Sequence, residues 1–185
     1  MALHMIPPPG AAEFLERAGW AGAQILPLAG DASFRRYFRI VDGTRHAVLM
    51  DAPPPHEDPR PFIHVAEYLT SIGLAAPQIL ACDLDQGLLL IEDFGSVRMR
   101  ETVDADLSLE ASIYAGVVDV LIALHRHAPP AGLKTHGLAQ WLDEICLFVD
   151  WYCPEVGLEA DRASFLAAWE QVLRPIDAQG QSVTE

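Results

Sequence analysis

Two different periods run along this chain. Between residues 23 and 94 the apolar positions form short strand-like runs broken by turn residues, and beyond Gly95 they recur at helical intervals. Pro7, Pro8 and Pro9 lead into AAEFLERA (11–18), a short helix that Gly19 stops. AQILPL (23–28), SFRRYFRIV (33–41) and RHAVLMD (45–51) read as strands. Asp42-Gly43 is a hairpin signal between the last two, and Gly30, Asp31, Ala32 and Ser33 make a longer loop before the second. DAPPPHEDP (51–59) is a proline-rich connection. RPFIHVAEYLTSIG (60–73) is a helix with Pro61 in its first turn, Gly73 at its end and a stripe of Phe62, Val65, Ala66 and Leu69. QILACD (78–83) and LLLIEDF (88–94) are strands joined by a turn at Asp85-Gln86-Gly87. Residues 109–127 form a long helix with Ile113, Val117, Val120, Leu121 and Leu124 on one face. Residues 138–153 are a helix stopped by Pro154, residues 159–173 a helix stopped by Pro175, and the tail 176–185 is polar.

These elements predict an α+β architecture: an antiparallel sheet of about five strands with one helix inserted after the third, followed by a helical layer. The expected boundaries are a lead-in and helix at 1–19, a sheet lobe at 20–95 and a helical lobe at 96–185.

Composition agrees with a folded chain: 51% hydrophobic and 21% charged over 185 residues. A chain of this length buries roughly 70% of its unfolded surface. No apolar run is expected to reach the ~18 residues of a membrane span, and MALHMIPPPG lacks the basic start and apolar stretch of a signal peptide. Cys82, Cys146 and Cys153 are too few and scattered for a disulfide framework, which points to a reducing, cytoplasmic setting. The net charge of −14 argues against a nucleic-acid or anionic-membrane partner. That charge is uneven. Residues 1–60 hold six arginines against seven acids, and the remaining residues carry the other −13. There is one lysine, Lys134.

Four constellations could carry chemistry. In GDASFRRYFR (30–39) a small-residue loop can bring backbone N–H groups to phosphate oxygens, with an arginine on the next strand adding a two-pronged contact. Alternation places Ser33, Arg35, Tyr37 and Arg39 on one sheet face and Phe34, Arg36, Phe38 and Ile40 on the other, Arg36 being expected toward the inserted helix. The same stretch also reads as a plain hairpin with surface arginines. EDFG (92–95) lies where sheet gives way to helices, and its backbone could meet a purine edge or simply connect. His125-Arg126-His127 suits the negative end of a helix dipole but lacks metal-ligand spacing, and Cys146 and Cys153 read as core. In DEICLFVDWY (143–152), Asp143, Glu144 and Asp150 are interleaved with Phe148, Trp151 and Tyr152, as a sugar site would need. An amphipathic helix with its aromatics in a core fits the same residues.

The order of loop-hairpin, third strand, inserted helix, two strands, acidic connection and helices resembles the aminoglycoside phosphotransferase family, whose fold is protein-kinase-like. More closely it resembles the bacterial anomeric amino-sugar kinases of cell-wall recycling, which phosphorylate N-acetylmuramate and N-acetylglucosamine. GDASFRRYFRI (30–40), AVLMDAPPP (47–55), RPFIHVAEYLTSIGLAAPQIL (60–80), LLLIEDFG (88–95) and WLDEICLFVDWY (141–152) carry the likeness. It implies an ATP- and Mg²⁺-dependent kinase acting on a small sugar hydroxyl. Ser33 and Arg35 would face phosphates, Tyr37 and Val48 would line the adenine slot, and the Glu92-Asp93-Phe94 backbone would meet the adenine edge. Glu144 and Asp150 would contact the sugar.

Two departures stand out. Met50 occupies the place of the family's strand-three lysine, and no glutamate stands on the matching turn of the inserted helix. The family's catalytic loop, His-Gly-Asp followed by Asn, and its second metal-binding Asp are absent; His136-Gly137 is followed by Leu138. The catalytic and metal residues are therefore expected beyond Glu185. The rival expectation is a non-catalytic nucleotide-binding or regulatory module.

Overall fold

The computed structural model describes residues 6–28, 34–133, 135–178 and 183–184, and the chain divides into two compact units, Met1–His127 and Ala128–Glu185. The first unit runs α1 (Ala11–Arg17), β1 (Gln24–Pro27), β2 (Arg36–Asp42), β3 (Arg45–Asp51), α2 (Arg60–Ser71), β4 (Ile79–Asp83), β5 (Leu88–Glu92), α3 (Met99–Ala105), a 3₁₀ turn (Leu107–Leu109) and α4 (Glu110–Leu124). All strand pairs are antiparallel, in the order β1-β2-β3-β5-β4, so the expected five-stranded sheet with a helix inserted after the third strand is what forms.

Local chemistry ends the elements where the sequence marks them. Gly19 and Gly73 follow α1 and α2 with φ of 79° and 82°. The next amides, Trp20 and Leu74, reach back to Leu15 and Leu69 carbonyls at 2.8 and 2.9 Å, the closing bonds of a left-handed helix cap. The β2–β3 hairpin is displaced by one residue from the expected dipeptide. Asp42 pairs with Arg45, so the two-residue loop is Gly43-Thr44. Gly43 has φ 58° and no described non-glycine residue, Thr44 included, has positive φ, which makes a type II′ turn. At Gly87 a side chain has no room: a Cβ there would meet the Ala52 carbonyl oxygen at 2.0 Å.

The sheet is covered on both faces. Phe38, Ile40, Ala47, Leu49, Leu88 and Leu90 pack against Phe14 and Leu15 of α1 and against Trp20. Met50, Leu89 and Ile91 pack with Tyr37 and Val48 against Phe62 and Ile63 of α2. This corrects one expectation. The inserted helix covers the face of Tyr37 and Met50, and Arg36 lies on the face that α1 covers. Alternation sorts residues between faces but does not say which helix crosses which face.

Other differences have local causes. The α3 helix was not expected, because Met99 and Val103 are too few apolar residues to give a stripe; its start is held by the Arg98 amide donating to Glu101 at 3.0 Å. None of the residues of α4 is buried, and Tyr114, Val118, Val120 and Ile122 are exposed together, so its apolar residues run around the helix and not along one face. Leu107–Leu124 has 18 residues with a mean hydropathy of 1.8, long and apolar enough to cross a membrane by length and composition. This overturns the expectation that no such run exists: Glu110 and Asp119 interrupt the stretch, but its average stays apolar.

The second unit contains β6 (Thr135–His136), α5 (Leu138–Leu147), a π-helical turn (Phe148–Tyr152), the single turn α6 (Cys153–Glu155), α7 (Arg162–Asp177) and β7 (Val183–Thr184). Neither proline stops its helix. Pro154 lies in the last turn of a helical run that is unbroken from Leu138 to Glu155, and the Val156 amide still reaches the Tyr152 carbonyl at 3.2 Å beyond it. Pro175 costs α7 one bond near its end, and the Ala178 amide still reaches the Arg174 carbonyl at 3.0 Å. The core is Cys146, Val149 and Cys153 with Phe165 and Leu166, as expected of the cysteines. The aromatics stay outside it: Phe148, Trp151 and Tyr152 are all exposed.

Candidate functional site

On the α2 face of the sheet, β2 presents Tyr37 and Arg39, and Arg35, just before the strand, lies beside α2. Tyr37 lies opposite Met50, and Arg39 lies between Leu26 of β1 and Val48 of β3. Where β5 ends, the chain turns through Glu92, Asp93 and Phe94 to Gly95 and Ser96. Between these two stretches opens a cavity of about 290 Å³, floored by Tyr37, Arg39 and Val48 and walled by Leu28 and residues 92–96, with Arg98 at its edge. Its size is near the lower end of small-molecule sites, ~300–1,000 Å³.

Of the expected nucleotide residues, Tyr37, Val48, Glu92, Asp93 and Phe94 are thus brought together. Ser33 lies outside the described residues. Met50 is fully buried between Leu89 and α2 and offers no group to a ligand. The Glu92 amide is committed to the Gln78 carbonyl at 3.0 Å, so it is not free for a purine edge. The Phe94 backbone makes no hydrogen bond among the described residues. Asp93 is saturated: it accepts Arg39 Nε at 2.7 Å, Arg39 Nη2 at 3.2 Å and the Gly95 amide at 2.8 Å.

Arg35 borders a separate groove along Pro61, Phe62, Val65 and Leu69 of α2. Its Nε donates to Glu57 Oε2 at 3.0 Å, and both side chains are largely buried. Burial disfavours the guanidinium charge, but the hydrogen bond to Glu57 and its attraction, with a further hydrogen bond to the Tyr37 hydroxyl, outweigh it and raise the Arg35 pKa above its ordinary value. One residue earlier, Phe34 stacks on His56 with ring centroids 5.2 Å apart. Phe34 and Arg35 are therefore fastened to the proline-rich connection at two successive points.

Sequence reasoning missed Arg39, Glu57, Ser96 and Arg98. Alternation puts Arg39 on the same sheet face as Tyr37, but nothing in its own strand marks its contact with Asp93. Glu57 sits in a proline-rich segment with no period to place it.

In the second unit the two expected sugar residues differ. Asp150 is held by Arg162, whose Nε lies 2.9 and 3.2 Å from its two oxygens. Glu144 is more than half exposed and lies 3.2 Å from His136 Nε2. Phe148 stacks on Tyr152 with centroids 5.1 Å apart. Among the described residues no group of three His, Cys, Asp or Glu side chains could hold a metal ion.

Comparison with known proteins gives a consistent result. The APH phosphotransferase enzyme family matches residues 24–183. An N-acetylmuramate/N-acetylglucosamine kinase of Pseudomonas aeruginosa is 37% identical over 164 residues, covering 86% of this chain and 48% of its own length. Its namesake in Pseudomonas putida is 37% identical over 145 residues, 78% of this chain and 42% of its own. The namesake in Caulobacter vibrioides is 30% identical over 208 residues, 92% of this chain and 56% of its own. The chain spans about half the length of the curated relatives it matches.

Proposed function

The chain belongs to the APH phosphotransferase enzyme family, and from that premise we propose that it is the nucleotide-binding portion of an ATP-dependent kinase acting on an amino-sugar hydroxyl. N-acetylmuramate or N-acetylglucosamine is the proposed acceptor, as in its relatives' names. The lobes are taken as 20–95 for the nucleotide and 96–185 for the start of a helical lobe, after the lead-in 1–19, and the setting as cytoplasmic.

The observation that carries this reading is the cavity between Tyr37, Val48 and the Phe94 connection, with Arg35 beyond Tyr37, just before the strand. A purine in the cavity would lie on Tyr37 and Val48 and meet the uncommitted Phe94 backbone. Its phosphates would then run along β2 toward Arg35. The Arg35–Glu57 pair supplies a held cation where Met50 leaves the usual lysine place apolar. Holding a phosphate chain in line with an acceptor and neutralising its charge is most of what phosphoryl transfer asks of a protein.

Family membership implies ATP with a divalent metal, which would neutralise phosphate charge. Among the described residues, the sheet acids Asp51 and Asp93 do not fit the metal: they are bound by Arg36 and Arg39, and no metal-holding cluster forms. No step is assigned to it here. For the acceptor, Glu144 is the better-placed carboxylate. Phe148, Trp151 and Tyr152 follow it four, seven and eight positions on, all exposed, as a stacking surface beside a hydroxyl acceptor would be.

The test is ³¹P NMR of the whole gene product with ATP and each of N-acetylmuramate, N-acetylglucosamine and an aminoglycoside. A new phosphate ester on an amino sugar is expected. Saturable ATP binding with no ester on any acceptor would favour the non-catalytic module, which the apolar Met50 and the absence of a His-Gly-Asp run speak for. A coding sequence that continues past Glu185 into an H-x-D-x-x-x-x-N loop would speak for the kinase.

A further inference from the structure

Arg39 is the one cation on the cavity floor, yet its nitrogens are turned away from any phosphate. Nε and Nη2 grip both oxygens of Asp93 at 2.7 and 3.2 Å, and Nη1 donates to Ser96 Oγ at 2.8 Å. Asp93 has a side chain only 6% exposed and also accepts the Gly95 amide at 2.8 Å. Residues 93–98 belong to no helix or strand, so nothing in the backbone ladder fixes how far they stand from β2. The fork-to-carboxylate contact does fix it, because a planar guanidinium engaging two oxygens defines both distance and angle. The charge of Arg39 is cancelled by Asp93, which leaves the cavity suited to a neutral ring.

We propose that Arg39, Asp93 and Ser96 form a fastening that sets the width of the purine slot, Arg39 being a positioning residue for the base and not a phosphate ligand. This rests on the nucleotide reading above. It separates two arginines four residues apart: Arg35 acts on the phosphates, Arg39 on the base.

The test is calorimetric titration of adenosine, ATP and inorganic tripolyphosphate into the 185-residue chain and into Arg39→Met, Arg35→Met and Ser96→Ala. Arg39→Met keeps the length of the stem and removes the fork. It is expected to weaken adenosine and ATP by the same factor, about tenfold, the equivalent of one hydrogen bond to a charged group. Tripolyphosphate binding should be unchanged, a result that general loss of structure could not give. Arg35→Met should do the reverse, weakening ATP and tripolyphosphate and sparing adenosine. Arg39→Lys should recover only part of the loss, since an ammonium lacks the fork. If Arg39→Met does not fold, exposed Ser96→Ala still removes one arm and should weaken adenosine and ATP alike by about twofold to threefold. Adenosine binding unchanged in both Arg39→Met and Ser96→Ala, or tripolyphosphate binding lost with Arg39, overturns the fastening alone. A parent chain that binds neither adenosine nor ATP overturns the nucleotide reading and the fastening with it.

Discussion

Arg36 and Asp51 stand directly opposite each other on β2 and β3, and Arg36 Nε and Nη2 lie 2.8 and 2.5 Å from one oxygen of a carboxylate whose side chain is 2% exposed. Arg36 also donates to the Ile6 carbonyl at 3.3 Å, which ties the segment before α1 to the sheet. The pair holds the fold; it does not face the cavity. Arg36→Ala would strand a buried carboxylate and is expected to cost about 2–4 kcal/mol in chemical unfolding. Arg36→Ala/Asp51→Ala should recover most of that loss. A double variant no more stable than the single one would show that the two residues are not coupled.

The strands were legible because their cues are local: alternation, the glycines that close α1 and α2, and the turn before β3. The assignment of helices to sheet faces was not legible, since it depends on the direction each connection takes across the sheet. In the site, alternation places Tyr37 on one sheet face and the end of β5 places Phe94 at the connection, while the grouping of Tyr37, Val48 and Phe94 is what the family resemblance implies. The Arg39–Asp93 contact joins residues 54 apart in sequence, and no pattern within either strand marks it. Residues 143–152 admit two readings by sequence, a carboxylate-and-aromatic surface or a helix with its aromatics in a core; the π-helical turn breaks the regular helical period and leaves Val149 as the inward residue, with the aromatics exposed.

Asp161 caps α7, accepting the Ala163 and Ser164 amides at 3.0 and 3.3 Å and the Ser164 hydroxyl at 2.6 Å. The Ser164 hydroxyl first, then the Ser164 and Ala163 amides, hold its pKa below the ordinary carboxylate value. A depressed folded pKa means the cap is fully present above the unfolded value of about 3.9 and is lost as pH falls through the lower folded value. The Ser164 amide resonance is therefore expected to titrate with a midpoint below 3.9, together with loss of helical exchange protection at the start of α7. A midpoint at or above 3.9 would contradict this.

The exposed apolar residues of α4 are expected to drive self-association of the purified chain, since contiguous apolar patches of this kind attract partners. Sedimentation velocity should show concentration-dependent species that Val120→Glu/Ile122→Glu reduces. A monomeric profile at all concentrations with one sharp thermal transition would refute it.

No His-Gly-Asp run occurs in these 185 residues, and the purified chain is expected to transfer no phosphate to N-acetylmuramate or N-acetylglucosamine. Turnover above background would overturn that expectation.

Arg35→Ala is expected to weaken ATP binding by about 1.5–3 kcal/mol, the range for a hydrogen bond to a charged group, which is roughly 10- to 150-fold. Arg36→Ala, once folded, should bind ATP like the parent. The opposite ranking would place the phosphates on the α1 face of the sheet.

The central claim is that the base of ATP lies between Tyr37, Val48 and the Phe94 connection. The most direct measurement is a set of intermolecular NOEs from the adenine H2 and H8 protons of ATP to the ¹³C-labelled chain. Cross-peaks to the Val48 methyls and the Tyr37 ring, with the Phe94 amide shifting on titration, are the expected result. Saturable ATP binding with adenine cross-peaks only to residues outside this cavity would contradict the account.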